Sequence, residues 1–234
     1  IALGSPDLAL QTLTEFAHQV RAVTRACDLS VFVDADQGYG NALNVMRTVE
    51  ELEHAGLAGL AIEDLVMPAR FGSQGKPENI STAEMLGKLK AALTARRDPS
   101  LVIVARTAAL RVEPLQQVVA RMRAYAASGV DGIFLSGMKT LEQLDAVRAA
   151  VTIPIVCGST PGIQRADLAA RGVRFHLQGH AVLAACAKAM FDTYAHLAAG
   201  NGPDGLQPIL ATPETMARVL RLADHEHWEK AYLN

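Results

Sequence analysis

Six short runs of apolar and β-branched residues, near positions 31, 60, 102, 133, 154 and 175, each lead into a stretch whose apolar residues recur every three or four positions. Such strict alternation of strand and helix gives every strand a helical crossover to the next, and so specifies a parallel sheet with right-handed connections. The strands are expected at 30–35, Gly59 to Glu63, Leu101 to Ala105, within Gly129 to Leu135, at Ile153 to Cys157 and at Val173 to Leu177. Asp7 is placed to cap a first helix running to Cys27. Asn41 or Asn44 opens the second, which Gly56 closes, and Ser81 with Glu84 has capping-box spacing for a third reaching about Arg97. Helices at 112–127, from Thr140 to Ala150, at 163–171 and from His180 to Ala198 complete the alternation. Pro68, Gly72, Gly75 and Pro77 mark residues 65–80 as a long connection of the kind reserved for lids and binding loops. Asn201 to Gly205 reads as a flexible linker, and Thr212-Pro213-Glu214 starts a final amphipathic helix.

A parallel sheet of this kind is either doubly wound or a barrel. Asp34 and Asp36, Glu63, Arg106, Ser159 and His180 stand at the carboxyl ends of several different strands. A (β/α)₈ barrel assembles its site at that end from many strands, whereas a doubly wound sheet gathers its ligand groups at one switch point. No Gly-x-Gly-x-x-Gly follows a first strand. The reading that reconciles six units with such a rim is a (β/α)₈ TIM-type barrel whose first two strands, on the order of 50 residues, are missing from this chain. Residues 1–199 then form the barrel domain and 200–234 a linker and C-terminal helical extension.

With 234 residues, half of them hydrophobic, the chain can bury one large core. A formal charge of −2 offers no basic field for nucleic acid, and no run of apolar residues is long enough to span a membrane. Cys27, Cys157 and Cys186 are odd in number, far apart and set among apolar residues, as buried, reduced thiols of a cytoplasmic protein would be. The opening Ile1-Ala2-Leu3 has neither an initiator Met nor the pattern of a signal peptide, and reads as a cut end.

The densest chemistry lies in Val31-Phe32-Val33-Asp34-Ala35-Asp36-Gln37-Gly38-Tyr39-Gly40-Asn41. Alternation along the strand puts Asp34 and Asp36 on one face, and the two glycines let the chain turn beside them. A hard divalent cation suits such a pair, since Mg²⁺ takes one or two carboxylates together with waters and substrate oxygens. An ordinary strand-end turn draws on the same residue types.

Asp34-Ala35-Asp36-x-Gly38-Tyr39-Gly40-Asn41, then Ile62-Glu63-Asp64, then Ala105-Arg106-Thr107 together resemble the isocitrate lyase and phosphoenolpyruvate mutase superfamily over nearly the whole chain. The resemblance implies a Mg²⁺-dependent enzyme, with Mn²⁺ as the substitute ion, acting on small 2-oxo acids. It makes Asp34 the direct metal ligand, gives Asp36 and Glu63 metal-bound waters to hold, and assigns Arg106 the substrate carboxylate. Tyr39, Gly40, Ser159 and His180 fall among the implied substrate contacts. His180, at a helix start, is expected to be neutral and to donate one hydrogen bond. Asp64 is expected to support the loop or a neighbouring helix.

The loop after the Glu63 strand separates the branches. The carbon–carbon lyase branch that uses a cysteine acid carries Lys-Lys-Cys-Gly-His there, whereas Pro68-Ala69-Arg70-Phe71-Gly72 resembles the oxaloacetate decarboxylase branch. Gly38 to Val49 and Gly179-His180-Ala181 resemble it too. Three positions depart from that branch: Gln37 for a His, Ala108 for an acid or Asn, and Gly158-Ser159-Thr160-Pro161 for a loop with a Tyr. The expected activity is Mg²⁺-dependent decarboxylation of a small 2-oxo diacid such as oxaloacetate, through a metal-stabilised pyruvate enolate. The alternatives are a phosphonopyruvate hydrolase or mutase, with Arg70 and Lys76 as lid cations, and a relative that binds metal and 2-oxo acid without turnover. The resemblance also implies a homo-oligomer, a dimer or tetramer, with exchanged C-terminal helices.

Overall fold

The computed structural model describes residues 3–73 and 76–233. Gly75 of the long connection and the first two residues, both named above, lie outside that range. Six strands appear where the sequence places them: β1 (Phe32–Asp34), β2 (Gly59–Glu63), β3 (Val102–Thr107), β4 (Gly132–Leu135), β5 (Ile155–Cys157) and β6 (Val173–His176). They pair in parallel in chain order, β1 through β6. Between them run α1 (Leu13–Ala26), α2 (Ala42–His54), α3 (Thr82–Ala95), α4 (Leu115–Ala126), α5 (Leu141–Arg148) and α6 (Arg165–Ala170).

The two-residue period of each strand divides its side chains between two cores. Leu60, Ile62, Ile103, Ile133, Leu135 and Ile155 point to the helices, where Leu52, Met85, Leu89, Met122 and Leu144 meet them, all fully buried. The intervening positions, Ala61, Val104, Phe134 and Val156, form a second, smaller cluster on the other face with Phe32. The sheet is curled toward that face, because Phe32 on β1 and Phe175 on β6 stack with ring centroids 6.4 Å apart. Charged strand-end residues in phase with this inner face therefore converge.

Local chemistry decides the helix starts. Asn41 caps α2, its side chain accepting from the Leu43 and Asn44 amides, while the Asn44 side chain accepts from the Asn41 amide at 3.0 Å. Ser81 caps α3 as expected, accepting from the Glu84 amide at 3.1 Å. Asp7 does not cap α1: the helix begins five residues later, where Thr12 and Glu15 form a reciprocal capping box that Asp7 lacks.

The chain divides into two compact units, Ile1–Gly179 and His180–Asn234. The second contains α7 (Ala181–Ala198), a 3-10 segment at Pro203–Ile209, α8 (Pro213–Val219) and α9 (Leu222–Tyr232). The expected linker is thus largely folded, and the expected single final helix is two, broken where Arg221 adopts a left-handed conformation at φ 53°. The three thiols are free, but only Cys157 is buried; Cys186 lies exposed on α7. No helix among the described residues is long and apolar enough to cross a membrane.

Both stems of the 65–80 connection are pinned to the sheet. The Val66 amide donates to the Glu78 carbonyl at 2.8 Å and the Ile80 amide to the Asp64 carbonyl at 2.8 Å. The fully buried Asp64 carboxylate accepts from Tyr125 at 2.7 Å, Thr107 at 2.8 Å and Arg121 at 3.2 Å. Arg121 also pairs with Glu113 at 2.6 Å, and Glu113 accepts from the Asn79 side chain at 2.9 Å. Burial raises the Asp64 pKa, against the hydrogen bonds from Tyr125 and Thr107 and the Arg121 charge. Removing Arg121 would strand that carboxylate, so Arg121→Ala is expected to lose about 3–5 kcal/mol of unfolding free energy. Urea denaturation measures it, and a loss below about 1 kcal/mol would show the network to be incidental.

Candidate active site

The turn after β1 is strained and held from below. Asp36 and Tyr39 are left-handed, at φ 48° and 61°, a conformation that costs non-glycine residues on the order of 1–3 kcal/mol and persists only when the surroundings enforce it. Lys88, buried on α3, donates its Nζ to the Gln37 carbonyl at 2.9 Å, and Thr48 on α2 donates to the Gly38 carbonyl at 3.1 Å. Close packing explains the glycines: a Cβ at Gly38 would come within 2.4 Å of Val45 Cγ2, and one at Gly40 within 2.4 Å of Asn44 Oδ1. The Glu63 amide donates to the Asp36 carbonyl at 2.7 Å, tying the turn to the end of β2.

Asp34, Glu63 and Arg106 end three adjacent strands, with Glu63 directly opposite Arg106 in the register. The Arg106 guanidinium pairs with Asp34, reaches Glu63 at 3.3 Å, and lies 5.0 Å from the centroid of the Phe134 ring below it. Asp36 sits beside them, its amide donating to Asp34 Oδ1 at 3.2 Å. Burial, with the nearby Asp64, Asp36 and Asp7 charges, pushes the Glu63 pKa up to about 8 in spite of Arg111, which opposes the shift. Burial and then Asp7 raise Asp36. Burial and then Arg111 lower Arg106 to about 10, leaving it charged.

Three carboxylates at the ends of β1 and β2 offer hard oxygen donors, and Glu63 Oε1 is buried with no hydrogen-bond partner. Among the described residues no three Asp, Glu, His or Cys side chains converge into a complete cage. Mg²⁺ does not need one, because it keeps several waters and takes only one or two carboxylates directly. The residues fit the ion. Arg106 Nε is likewise buried and without a partner, a donor available to an anion.

Of the other expected site residues, Tyr39 and Gly40 belong to the turn after β1, and Ser159 follows β5. Tyr39 packs its ring 6.4 Å from Phe16 of α1, and burial followed by the Asp36 charge keeps its phenol protonated. Ser159 lines a cavity of about 450 Å³ with Thr160, Gln164, Arg165 and His176, where Thr160 Oγ1 and His176 Nε2 are 3.0 Å apart. His180 is the residue before α7, in the second unit. A second cavity, of about 170 Å³, lies between the 65–80 connection and Arg111. Sequence reasoning missed Asp7, taken for a cap, whose charge is felt at Asp36, Glu63 and Arg106. It also missed Lys88 and Arg111, which belong to no motif.

Residues 1–198 match the phosphoenolpyruvate phosphomutase family. The chain is 51% identical over 234 residues, 99% of its own length and 80% of the relative's, to an oxaloacetate decarboxylase of Bradyrhizobium sp. (strain BTAi1 / ATCC BAA-1182). Among solved structures it superposes on a phosphoenolpyruvate phosphomutase from Streptomyces platensis subsp. rosaceus with a TM-score of 0.88 at 29% identity, covering 100% of this chain and 84% of that one. A phosphonopyruvate hydrolase in complex with oxalate and Mg²⁺ superposes with a TM-score of 0.87 at 26% identity, covering 100% of this chain and 83% of that one.

The raised Glu63 pKa sets the sign of a pH effect. Between an ordinary value near 4.5 and the folded value of about 8, the folded protein holds a proton that the unfolded chain releases. Metal-free stability therefore falls as pH rises through that window. A cation needs the ionised carboxylate, so its stabilising increment grows over the same window. Melting temperatures followed across it, with and without Mg²⁺, are expected to diverge, and Glu63→Gln to remove most of the divergence. A parent whose metal-free Tm climbs through the window would contradict the protonated Glu63.

Proposed function

The chain belongs to the phosphoenolpyruvate phosphomutase family, and from that premise we propose that it is a carbon–carbon lyase that decarboxylates oxaloacetate to pyruvate with the help of a divalent cation. The observation that carries this reading is the meeting of Arg106 with Asp34 and Glu63 at the ends of three consecutive strands, with one unpartnered oxygen on Glu63 and one unpartnered nitrogen on Arg106. These are the complementary charges that a cation and a carboxylate substrate would bring.

In this reading Asp34 holds Mg²⁺ directly, and Asp36 and Glu63 hold its waters. Once bound, the ion supplies electrostatic stabilisation of the negative charge that develops on the 2-oxo oxygen as the C3–C4 bond releases CO₂. Arg106 takes the carboxylate next to the 2-oxo group, for which its planar fork is suited. Phe134 below it and the apolar inner face keep water from competing for that contact. The strained Asp36 to Gly40 turn, fixed by Lys88 and Thr48, needs no reorganisation when substrate arrives. Tyr39, Gly40, Ser159 and His180 complete the proposed substrate contacts, and the 65–80 connection the proposed lid. The proposed homo-oligomer with exchanged C-terminal helices draws support from α7, where Val182, Phe191 and Tyr194 are 79%, 73% and 72% exposed.

Product release from oxaloacetate and from phosphonopyruvate, with Mg²⁺ and with a chelator, tests the function. Chelator-sensitive formation of pyruvate from oxaloacetate is expected. Turnover of phosphonopyruvate alone would replace this reading with a phosphonate-cleaving one. Asp34→Ala is expected to abolish turnover and Mg²⁺-dependent thermal stabilisation together. Arg106→Lys is expected to raise KM by about tenfold or more while the metal-dependent Tm shift stays as in the parent, because an ammonium cannot reproduce the bidentate grip.

A further inference from the structure

Arg111 ends the 3-10 turn Ala109–Arg111 that follows β3. Its amide donates to the Ala108 carbonyl at 3.0 Å, but among the described residues its guanidinium makes no hydrogen bond or ion pair, and its charge acts on both Glu63 and Arg106. Its stem crosses the end of β4 at Gly137, where φ is 77° and a Cβ would come within 2.9 Å of Arg111 Cγ and 3.1 Å of its Nε. Glycine at 137 makes room for that stem, and Arg111 itself lines the cavity of about 170 Å³ under the 65–80 connection. Leu65, Met67 and Pro77 give that cavity apolar walls. Of the two connection cations that line it, Arg70 is already engaged by Glu78 at 3.1 Å.

A guanidinium lining a small cavity with apolar walls, and close enough to Arg106 for its charge to be felt there, is suited to a short carbon chain with a carboxylate at each end. We propose that Arg111 recognises the substrate carboxylate remote from Arg106, and so selects 2-oxo diacids over 2-oxo monoacids. The assignment rests on the decarboxylase reading and adds its specificity element.

The chemistry fixes what Arg111 can and cannot do. When the C3–C4 bond breaks, its electron pair stays on C3 as the enolate and C4 departs as neutral CO₂. The carboxylate held by Arg111 thus loses its charge on the way to the transition state. A guanidinium binds the charged ground state more strongly than the departing neutral molecule, so this contact contributes to binding and orientation and nothing to bond cleavage. Arg106, on the carboxylate that is retained, keeps its partner throughout.

Arg111→Gln is therefore expected to raise KM for oxaloacetate by roughly tenfold or more, with kcat unchanged or higher, followed by oxaloacetate consumption. The inhibition constant of pyruvate, which lacks the second carboxylate, is expected to be unchanged. Arg111→Lys, retaining the charge but not the fork, should fall between parent and Gln. A merely structural role would move the pyruvate constant and kcat along with KM, and that outcome, or an unchanged KM, overturns the assignment. If the parent itself releases no pyruvate from oxaloacetate in the presence of Mg²⁺, the decarboxylase reading fails and takes this assignment with it. Parent turnover combined with an unaltered Arg111→Gln KM sinks the assignment alone.

Discussion

The guanidinium of Arg106, set between Asp34 and Glu63 above the Phe134 ring, is the contact on which the rest of the rim depends. Two carboxylates ending neighbouring strands repel one another, and a mostly buried Glu63 is costly to ionise. Arg106 makes the arrangement tolerable and is itself tolerable because of it: a guanidinium at 18% side-chain exposure needs anionic neighbours. The parallel order of β1, β2 and β3 makes the meeting unavoidable. With inner-face residues alternating with helix-facing ones, the three side chains emerge on one side, Glu63 directly opposite Arg106 and Asp34 opposite Ala61, one inner-face step before Glu63.

What the rim gains in chemistry it loses in local stability, and the surroundings make good the difference. Left-handed Asp36 and Tyr39 would relax in an isolated turn. They persist because Lys88, Thr48 and the Asn41 cap satisfy the turn's carbonyls and the adjoining helix start, and because β2 and α2 behind it are anchored in the larger core. A similar division appears at the 65–80 connection. Its stems are tied into the Asp64, Arg121 and Glu113 network, while between them Phe71 stands wholly exposed. Fixed stems with an exposed aromatic side chain between them suit the proposed cover.

Patterns with a repeat or a local mechanism were legible in the sequence. All six strands fall where apolar runs predicted them, and Asn41 and Ser81 cap the helices that their spacing indicated. The strand-end acids and Arg106 could be found because a charged residue that ends an apolar strand breaks a pattern. What stayed hidden depends on tertiary distance or on competition between equal local options. Asp7 and Thr12 are both competent caps, and only the reciprocal Glu15 contact decides for Thr12. Arg221 breaks the last helix with a conformation that no propensity assigns to arginine. Lys88 reads as one more polar position on an amphipathic helix, and its burial under the Gln37 carbonyl is set by how α3 packs beside α2. Cys186 looked like a core thiol because α7 is rich in alanine, but apolar composition alone cannot say which face of a helix is covered.

Electrostatics joins these observations into one argument about what the rim accepts. Burial raises Glu63 and Asp36 and lowers Arg106, so the charged form of acids and base alike is disfavoured. A neutral ligand would relieve neither. A cation alone would lower the acids while competing with Arg106 for Asp34, and an anion alone would satisfy Arg106 while pushing Glu63 further up. Only the two together restore every group, the cation at the carboxylates and the anion at the guanidinium. In the proposed function the affinities for metal and for carboxylate substrate would therefore be coupled through the Asp34 to Arg106 pair, each guest improving the site for the other. That coupling follows from one ion pair and its burial, and it accounts for a rim that combines three acids with an arginine where a simple metal site would hold acids alone.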